Sequence, residues 1–296
     1  MSAIVVKNDG QNRIFFDKNN GAKIRVSLDG SDYVKSTTPE LVDLKITDYC
    51  PYKCSFCYQA SLPDGNHGDL ETIKSIVDIL AEMQVFEIAI GGGEPVKHPQ
   101  FAEILHYIYI KGIIPNFTCF GKDWLHDNEL MEAVCKTVGG IGVSVHDTKQ
   151  ISKYKTISKS FQGKRQQILA QHVFGTMNFD DTLQLVQNVE HVLLLGYKTV
   201  GFGNSYQPYK FIDSQIEEIV SKSKKLSVDT AFIDNYGVAI NKMGIREELM
   251  SSPEGKFSMY IDAVDMLIAP SSYIKKSDMD ALKLNPQSVN QLYKTY

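Results

Sequence analysis

From residue 41 onward, short unbroken apolar runs alternate with stripes in which apolar side chains recur every three or four positions. Unbroken runs suit strands buried on both faces, while spaced stripes suit helices with one buried side. Leu41 to Thr47, Val85 to Ile90, Ile113 to Phe120, Ile141 to Val145, Gln167 to Phe174 and His191 to Phe202 read as six strands. Between them, Leu70, Ile73, Val77 and Leu80 share a helix face behind a capping Asp69. Phe101, Ile104, Leu105 and Ile108 form the next stripe, closed by Gly112. Asp127 to Val138 is a third helix, Leu183, Val186 and Val189 mark a fourth, and Ile212 to Lys225 ends the series. Such alternation implies an α/β fold with a parallel sheet and helices outside it.

The flanks read differently. Arg13 to Phe16 and Lys23 to Leu28 surround Lys18-Asn-Asn-Gly, a sequence suited to a tight turn, so residues 1–40 predict a small β-hairpin. That is too short for a separate peptide-binding winged-helix module. After Leu226 the pattern becomes strands and a terminal helix. Phe257 to Asp262 and Met266 to Pro270 predict a hairpin, and Asn285 with Pro286 starts the last helix. Three units follow: 1–40, a core at 41–225, and an α+β extension at 226–296.

Composition narrows the function classes. With 43% hydrophobic residues among 296, a buried core is easily built. No stretch approaches eighteen apolar residues and no signal peptide is readable, which points to a cytoplasmic protein with no membrane span. The net charge of −4 does not favour long nucleic acid as a partner. The basic stretches Lys149 to Arg165 and Lys222 to Lys225 read as solvated helix surface. Five cysteines, an odd number with three clustered, fit a reducing compartment better than a disulfide framework.

Those three carry the chemistry. Cys50, Cys54 and Cys57 lie in Asp-Tyr-Cys-Pro-Tyr-Lys-Cys-Ser-Phe-Cys-Tyr, so one tight loop can aim three thiolates at one centre. Iron–sulfur clusters are held by such thiolates, and a [4Fe–4S] cube given three would keep one iron open. A structural zinc site with His67 as fourth ligand is the alternative, but zinc usually closes with two separated ligand pairs and the second pair is missing.

The Cys-x3-Cys-x2-Cys run at a strand end, with Phe56 before the third cysteine, resembles the radical S-adenosylmethionine (radical SAM) superfamily. Ala89-Ile-Gly-Gly-Gly-Glu-Pro95 follows the second strand and resembles that family's Gly-Gly-Glu motif. The resemblance covers about Leu41 to Lys225. It implies a partial (β/α)6 TIM-type barrel with its active site at the C-terminal strand ends. It implies SAM chelated to the open iron of a single [4Fe–4S] cluster, cleaved by one electron to a 5′-deoxyadenosyl radical that takes a hydrogen atom from the substrate. A flavodoxin- or ferredoxin-type donor would supply the electron. Gly92 and Gly93 would let backbone approach SAM, Glu94 would accept from its ammonium, and Ser144 matches a position that often contacts SAM.

The segment Glu254 to Ser272 resembles the SPASM extension of many peptide-modifying members. Ser251, Ser252, Ser271 and Ser272 stand where auxiliary-cluster thiols would be expected, and no cysteine follows Cys135. The leading expectation is therefore a peptide or amino-acid-derived substrate, with a nucleotide or other small metabolite as the competing one. A non-catalytic iron–sulfur or zinc protein is the reading from another class. Without an auxiliary cluster, a redox-neutral outcome such as epimerisation or rearrangement is favoured, and Cys119 at the end of strand three is the candidate thiol donor of a hydrogen atom. Cys135 reads as packing, and His98 as a loop residue. His146, Asp147, His172, Tyr206, Asp234 and Tyr236 are candidates to line the mouth.

Overall fold

The computed structural model describes residues 3–244 and 254–296. Its centre is β4 (Leu41–Thr47), whose residues alternate in role. Val42, Leu44 and Ile46 are buried among helix side chains, so strand geometry turns Asp43, Lys45 and Thr47 to the concave face. The remaining strands of the barrel are β5 (Glu87–Gly92), β6 (Ile114–Cys119), β7 (Gly140–Ser144), β8 (Gln167–Val173) and β9 (Val192–Leu195). Each follows a helix: α1 (Leu70–Glu82), α2 (Phe101–Ile110), α3 (Asn128–Thr137), α4 (Ile151–Ser160) and α5 (Phe179–Asn188). Carboxylates and amides start several of them: Asp69 accepts from Thr72 N–H, Asp127 from Leu130 N–H and Asn178 from Asp181 N–H.

Past α6 (Asp213–Lys222) the barrel continues further than its periodicity suggests. β10 (Leu226–Val228) pairs in parallel with β9, and α7 (Thr230–Lys242) follows it, capped by Asp229. A three-residue strand is too short to show a period, which hides it in the sequence. The expected sixth strand, His191 to Phe202, is correspondingly shorter. Beyond Leu195 the chain turns away through Gly196, where a Cβ would sit 2.1 Å from Ala231 backbone. Asp234 and Tyr236 accordingly lie on α7 rather than in a loop or strand, with Tyr236 packed on Phe174 and Phe232.

The C-terminal segment joins the same sheet. β11 (Ser258–Asp262) pairs in parallel with β4, and β12 (Leu267–Ala269) and β13 (Asp280–Ala281) add antiparallel strands beyond it. Among the described residues the order is therefore β10-β9-β8-β7-β6-β5-β4-β11-β12-β13, an open sheet rather than a closed barrel. α8 (Pro286–Thr295), capped by Asn285, ends the chain as expected. Ser271 and Ser272 are buried; Ser251 and Ser252 lie outside the described residues.

The N-terminal unit is three-stranded, since β1 (Ile4–Asp9) adds to the expected pair β2 (Asn12–Asp17) and β3 (Lys23–Ser27). Ile14 and Phe16 pack on Phe86 and Ile114, at the starts of barrel strands. Arg25 makes a two-pronged pair with buried Glu40 at 3.0 and 2.8 Å. This sheet thus covers the end of the barrel opposite the cysteine loop.

Candidate active site

The loop after β4 is fixed from several sides. Asp48 N–H donates to Asn66 at 2.7 Å and Cys50 N–H to Leu62 at 2.9 Å. Lys53, between the first two cysteines, takes a φ of 49°, a left-handed conformation that side-chain-bearing residues adopt only when their surroundings hold them there. Below the loop, Lys45 is 1% exposed and joins Asp48 at 2.5 Å, Asp262 at 2.8 Å and Asp265 at 3.7 Å. One lysine thereby ties the cysteine loop, β4 and β11 together.

The Gly-Gly-Glu turn is docked on this loop. Gly93 N–H donates to Thr47 at 2.7 Å and Glu94 N–H to Tyr49 at 2.8 Å. A Cβ on Gly92 would lie 2.3 Å from the Thr47 carbonyl oxygen, and one on Gly93 2.0 Å from that of Tyr49. Both glycines therefore serve first to let the end of β5 close against the cysteine loop. Gly91, in contrast, faces open space.

Cys50, Cys54 and Cys57 are all half-buried free thiols within electrostatic reach of one another. Burial pushes the Cys54 thiol up to about 11, with Cys57 and Cys50 adding to it, and burial raises Cys50 as well. A crowded thiol set of this kind ionises once a cationic centre arrives, because a metal deprotonates the thiols it binds. Among the described residues, no three Cys, His, Asp or Glu side chains converge as around a single ion. His67 is engaged elsewhere, paired with Thr47 Oγ1 at 2.8 Å and edge-on to His98. The donors this loop would offer a cluster are its three half-buried cysteine thiols.

Glu94 is 2% exposed, and its carboxylate already accepts from Phe120 N–H at 2.9 Å and Gly121 N–H at 3.4 Å. Burial raises its pKa to about 7, opposed by those two backbone donors. Phe56 stacks edge-on with His146 at 4.6 Å and with Tyr206 at 5.7 Å, making an aromatic wall. Ser144 ends β7, and its carbonyl accepts from Lys153 Nζ at 2.8 Å.

Lys153 belongs to the basic stretch Lys149 to Arg165, whose sequence reads as solvated helix surface. The first turn of α4 instead carries it inward, 3.7 Å from the centre of the Phe120 ring. Burial lowers its pKa to about 8, against the pull of Cys119, Glu94 and Cys54. It forms no ion pair with any described residue. The signal that could have found it is a lysine at the start of a helix just after a motif-bearing strand.

Cys119 is buried at the end of β6. Asn116 and Thr118 face the concave side, where Asn116 donates to Glu87 and Thr118 to Gln171. Strand alternation therefore turns Phe117 and Cys119 toward the helices. Cys119 is 1% exposed in the main core beside Trp124, and burial drives its thiol far above the ordinary value. It packs as a small hydrophobe, although its thiol lies within electrostatic reach of Glu94 and Lys153. His172 is likewise fully buried, with Nδ1 on the Val145 carbonyl at 2.9 Å. His98 lies in the loop before α2, as expected, and is buried there, with Nε2 paired to the Gly68 carbonyl at 3.0 Å. Cys135 is half-buried against the core on α3.

The sequence model of the Radical SAM superfamily matches residues 44–193. The S-adenosylmethionine-dependent nucleotide dehydratase of Selenomonas ruminantium is 31% identical over 105 residues, 35% of this chain and 38% of that protein. The mycofactocin maturase MftC of Mycobacterium tuberculosis is 38% identical over 71 residues, 23% of this chain and 18% of that protein. The chain thus matches well under half the length of these curated relatives. Streptococcus suis SuiB bound to precursor peptide SuiA superposes with a TM-score of 0.74 at 13% identity, covering 98% of this chain and 87% of that one.

Proposed function

This chain belongs to the radical SAM superfamily, and from that premise we propose that it modifies a peptide or amino-acid-derived substrate by hydrogen-atom abstraction. The family's cofactors are a [4Fe–4S] cluster and SAM. When bound, they supply one-electron cleavage of the sulfonium and removal of a hydrogen atom from carbon, chemistry the protein itself lacks. Everything else falls to this chain's residues.

Cys50, Cys54 and Cys57 would hold the cluster and leave one iron for SAM. The end of β5 would place the Gly92–Glu94 backbone against SAM, with the free lone pairs of Glu94 available to its ammonium. Lys153 is an unpaired cation between Cys54, Ser144 and Glu94, and would meet the SAM carboxylate. Phe56 and His146 would wall one side and keep water out. The observation that carries the reading is the close backbone docking of the cysteine loop on the Gly-Gly-Glu turn.

The peptide assignment draws support from the maturase relative and from the β11–β12 hairpin, which resembles the SPASM extension. The nucleotide reading is the second one, and the dehydratase relative favours it. No cysteine occurs in residues 136–296 to hold a second electron-accepting cluster, which favours a redox-neutral product. A flavodoxin- or ferredoxin-type protein would be the electron donor.

Anaerobic reconstitution should give about four irons and four sulfides per chain. With dithionite the loaded protein should slowly release 5′-deoxyadenosine and methionine from SAM. Alanine at Cys50, Cys54 or Cys57 should abolish both, while Cys135→Ala keeps them. Zinc as the sole stoichiometric metal would sink the proposal.

A further inference from the structure

A cavity of about 550 Å³ opens beside the cysteine loop, with walls other than the Gly-Gly-Glu turn and Lys153. One wall begins a residue beyond Cys57, at Tyr58 and Gln59. The others are the turn after β9, with Asn204, and the C-terminal segment, with Tyr260, Ser272 and Lys275. These walls are built into each other. Phe202 N–H donates to the Cys57 carbonyl at 2.9 Å, and a Cβ on Gly201 would sit 2.3 Å from the Tyr58 carbonyl oxygen. Gln59 Nε2 donates to Tyr260 Oη at 3.3 Å, joining the cysteine loop to β11. The cavity is preformed, and it borders the loop assigned to the cluster.

Its chemistry is specific. Tyr58, Gln59, Asn204, Tyr260 and Ser272 offer hydroxyls and carboxamides, which donate or accept without charge. An extended main chain presents one donor and one acceptor per residue and is matched by such groups. Charge narrows the choice. Asp48 on the wall shares Lys45 with Asp262 and Asp265, and Lys276 pairs with Asp265. Lys275 also lines the cavity and makes no ion pair with any described residue. One lysine without an ion pair of its own suits one carboxylate, whereas a nucleoside triphosphate brings several negative charges to a wall that already carries Asp48 and, behind it, Asp262 and Asp265.

We propose that this cavity holds a short extended segment of a peptide, with an acidic side chain facing Lys275. The inference rests on the peptide reading above and adds where the peptide lies and what it carries.

The test uses the reconstituted full chain with SAM and three probes. Two are end-blocked tetrapeptides differing only in a central Glu or Lys, and the third is GTP. Calorimetry reads affinity, and hydrogen exchange reads location. The Glu peptide should bind about fivefold more tightly than its Lys counterpart, the scale of one solvent-exposed ion pair. It should protect residues 58–60 and 199–204, and Lys275→Glu should reverse the preference. A preference that survives Lys275→Glu, or protection confined to other segments, overturns the cavity assignment while leaving the peptide reading intact. Binding of GTP without either peptide overturns both. Failure of all three probes to bind overturns the cavity assignment.

Discussion

At the scale of single residues, Glu94 shows how a site can work against stability. Its carboxyl is raised from 4.5 to about 7 because burial outweighs the two backbone N–H groups it accepts from. The folded state then holds this proton more tightly than the unfolded state does. The group's contribution is therefore fully present below about pH 4.5 and is lost as pH rises through about 7. At 1.36 kcal/mol per unit, the cost at neutral to basic pH is about 3 kcal/mol. Gln at this position keeps an acceptor for Phe120 N–H and removes the charge. Glu94→Gln should accordingly be more stable than the parent by about 1–3 kcal/mol near pH 8, with no gain near pH 4, in urea denaturation of the cofactor-free chain. Equal stability of the two proteins across that range would show that the carboxylate is fully compensated. In the loaded protein the same change should weaken SAM binding, since a neutral amide meets an ammonium less well. Lys153 gives the complementary case. Lys153→Gln should weaken SAM binding roughly tenfold or more, the size of a charge-assisted hydrogen bond, while iron content stays constant. Unchanged affinity would remove Lys153 from the site.

At the scale of elements, the decisive contact is the end of β5 against the loop after β4. Gly93→Ala would drive a methyl to 2.0 Å from the Tyr49 carbonyl oxygen, and backbone on both sides has little freedom to yield. The variant should lose about 1–3 kcal/mol from overpacking and should also fail to retain a full cluster, read by thermal melting and iron analysis. An alanine variant with normal melting and iron content would mean the two motifs are not coupled through this contact. Much of this was legible in the sequence. The strands β4 to β8 carry enough apolar residues to declare themselves, and Asp69, Asp127 and Asn285 mark helix starts by their own side chains. What escaped has a common physical cause. β10 is three residues long, α4 sets only Ile151, Tyr154 and Ile157 among lysines, serines and a threonine, and the direction of Cys119 depends on strand register rather than on its neighbours in sequence. The role of the glycines was half legible. Their need for close approach follows from their type, but the partner, loop backbone at Thr47 and Tyr49, emerges only from the fold.

At the scale of the whole molecule, the open sheet is a liability that the C-terminal segment manages. Without β11, β4 would present an unpaired edge along Leu41 to Lys45, a template for pairing with another chain. β11 covers that edge with five register pairs from Ser258–Leu41 to Asp262–Lys45. The ionic group around Lys45 makes the cover specific. Asp262 is fully buried and receives Lys45 at 2.8 Å, while Asp48 brings in the cysteine loop. Across the other side of the opening, Lys198 lies 3.9 Å from Asp229 and stands over the rings of Tyr58 and Tyr273 at 4.6 and 5.0 Å. The C-terminal segment is thus part of the barrel's closure as well as a wall of its cavity. Ending the chain at residue 244 should therefore expose the β4 edge and leave Lys45 without Asp262, a broken buried pair on the order of 3–5 kcal/mol. The truncated chain should elute as aggregates in size-exclusion chromatography and lose its cluster, whereas Lys45→Met in the full chain should lower stability yet remain monodisperse. A soluble, cluster-bearing truncation would show that residues 41–244 fold independently of β11.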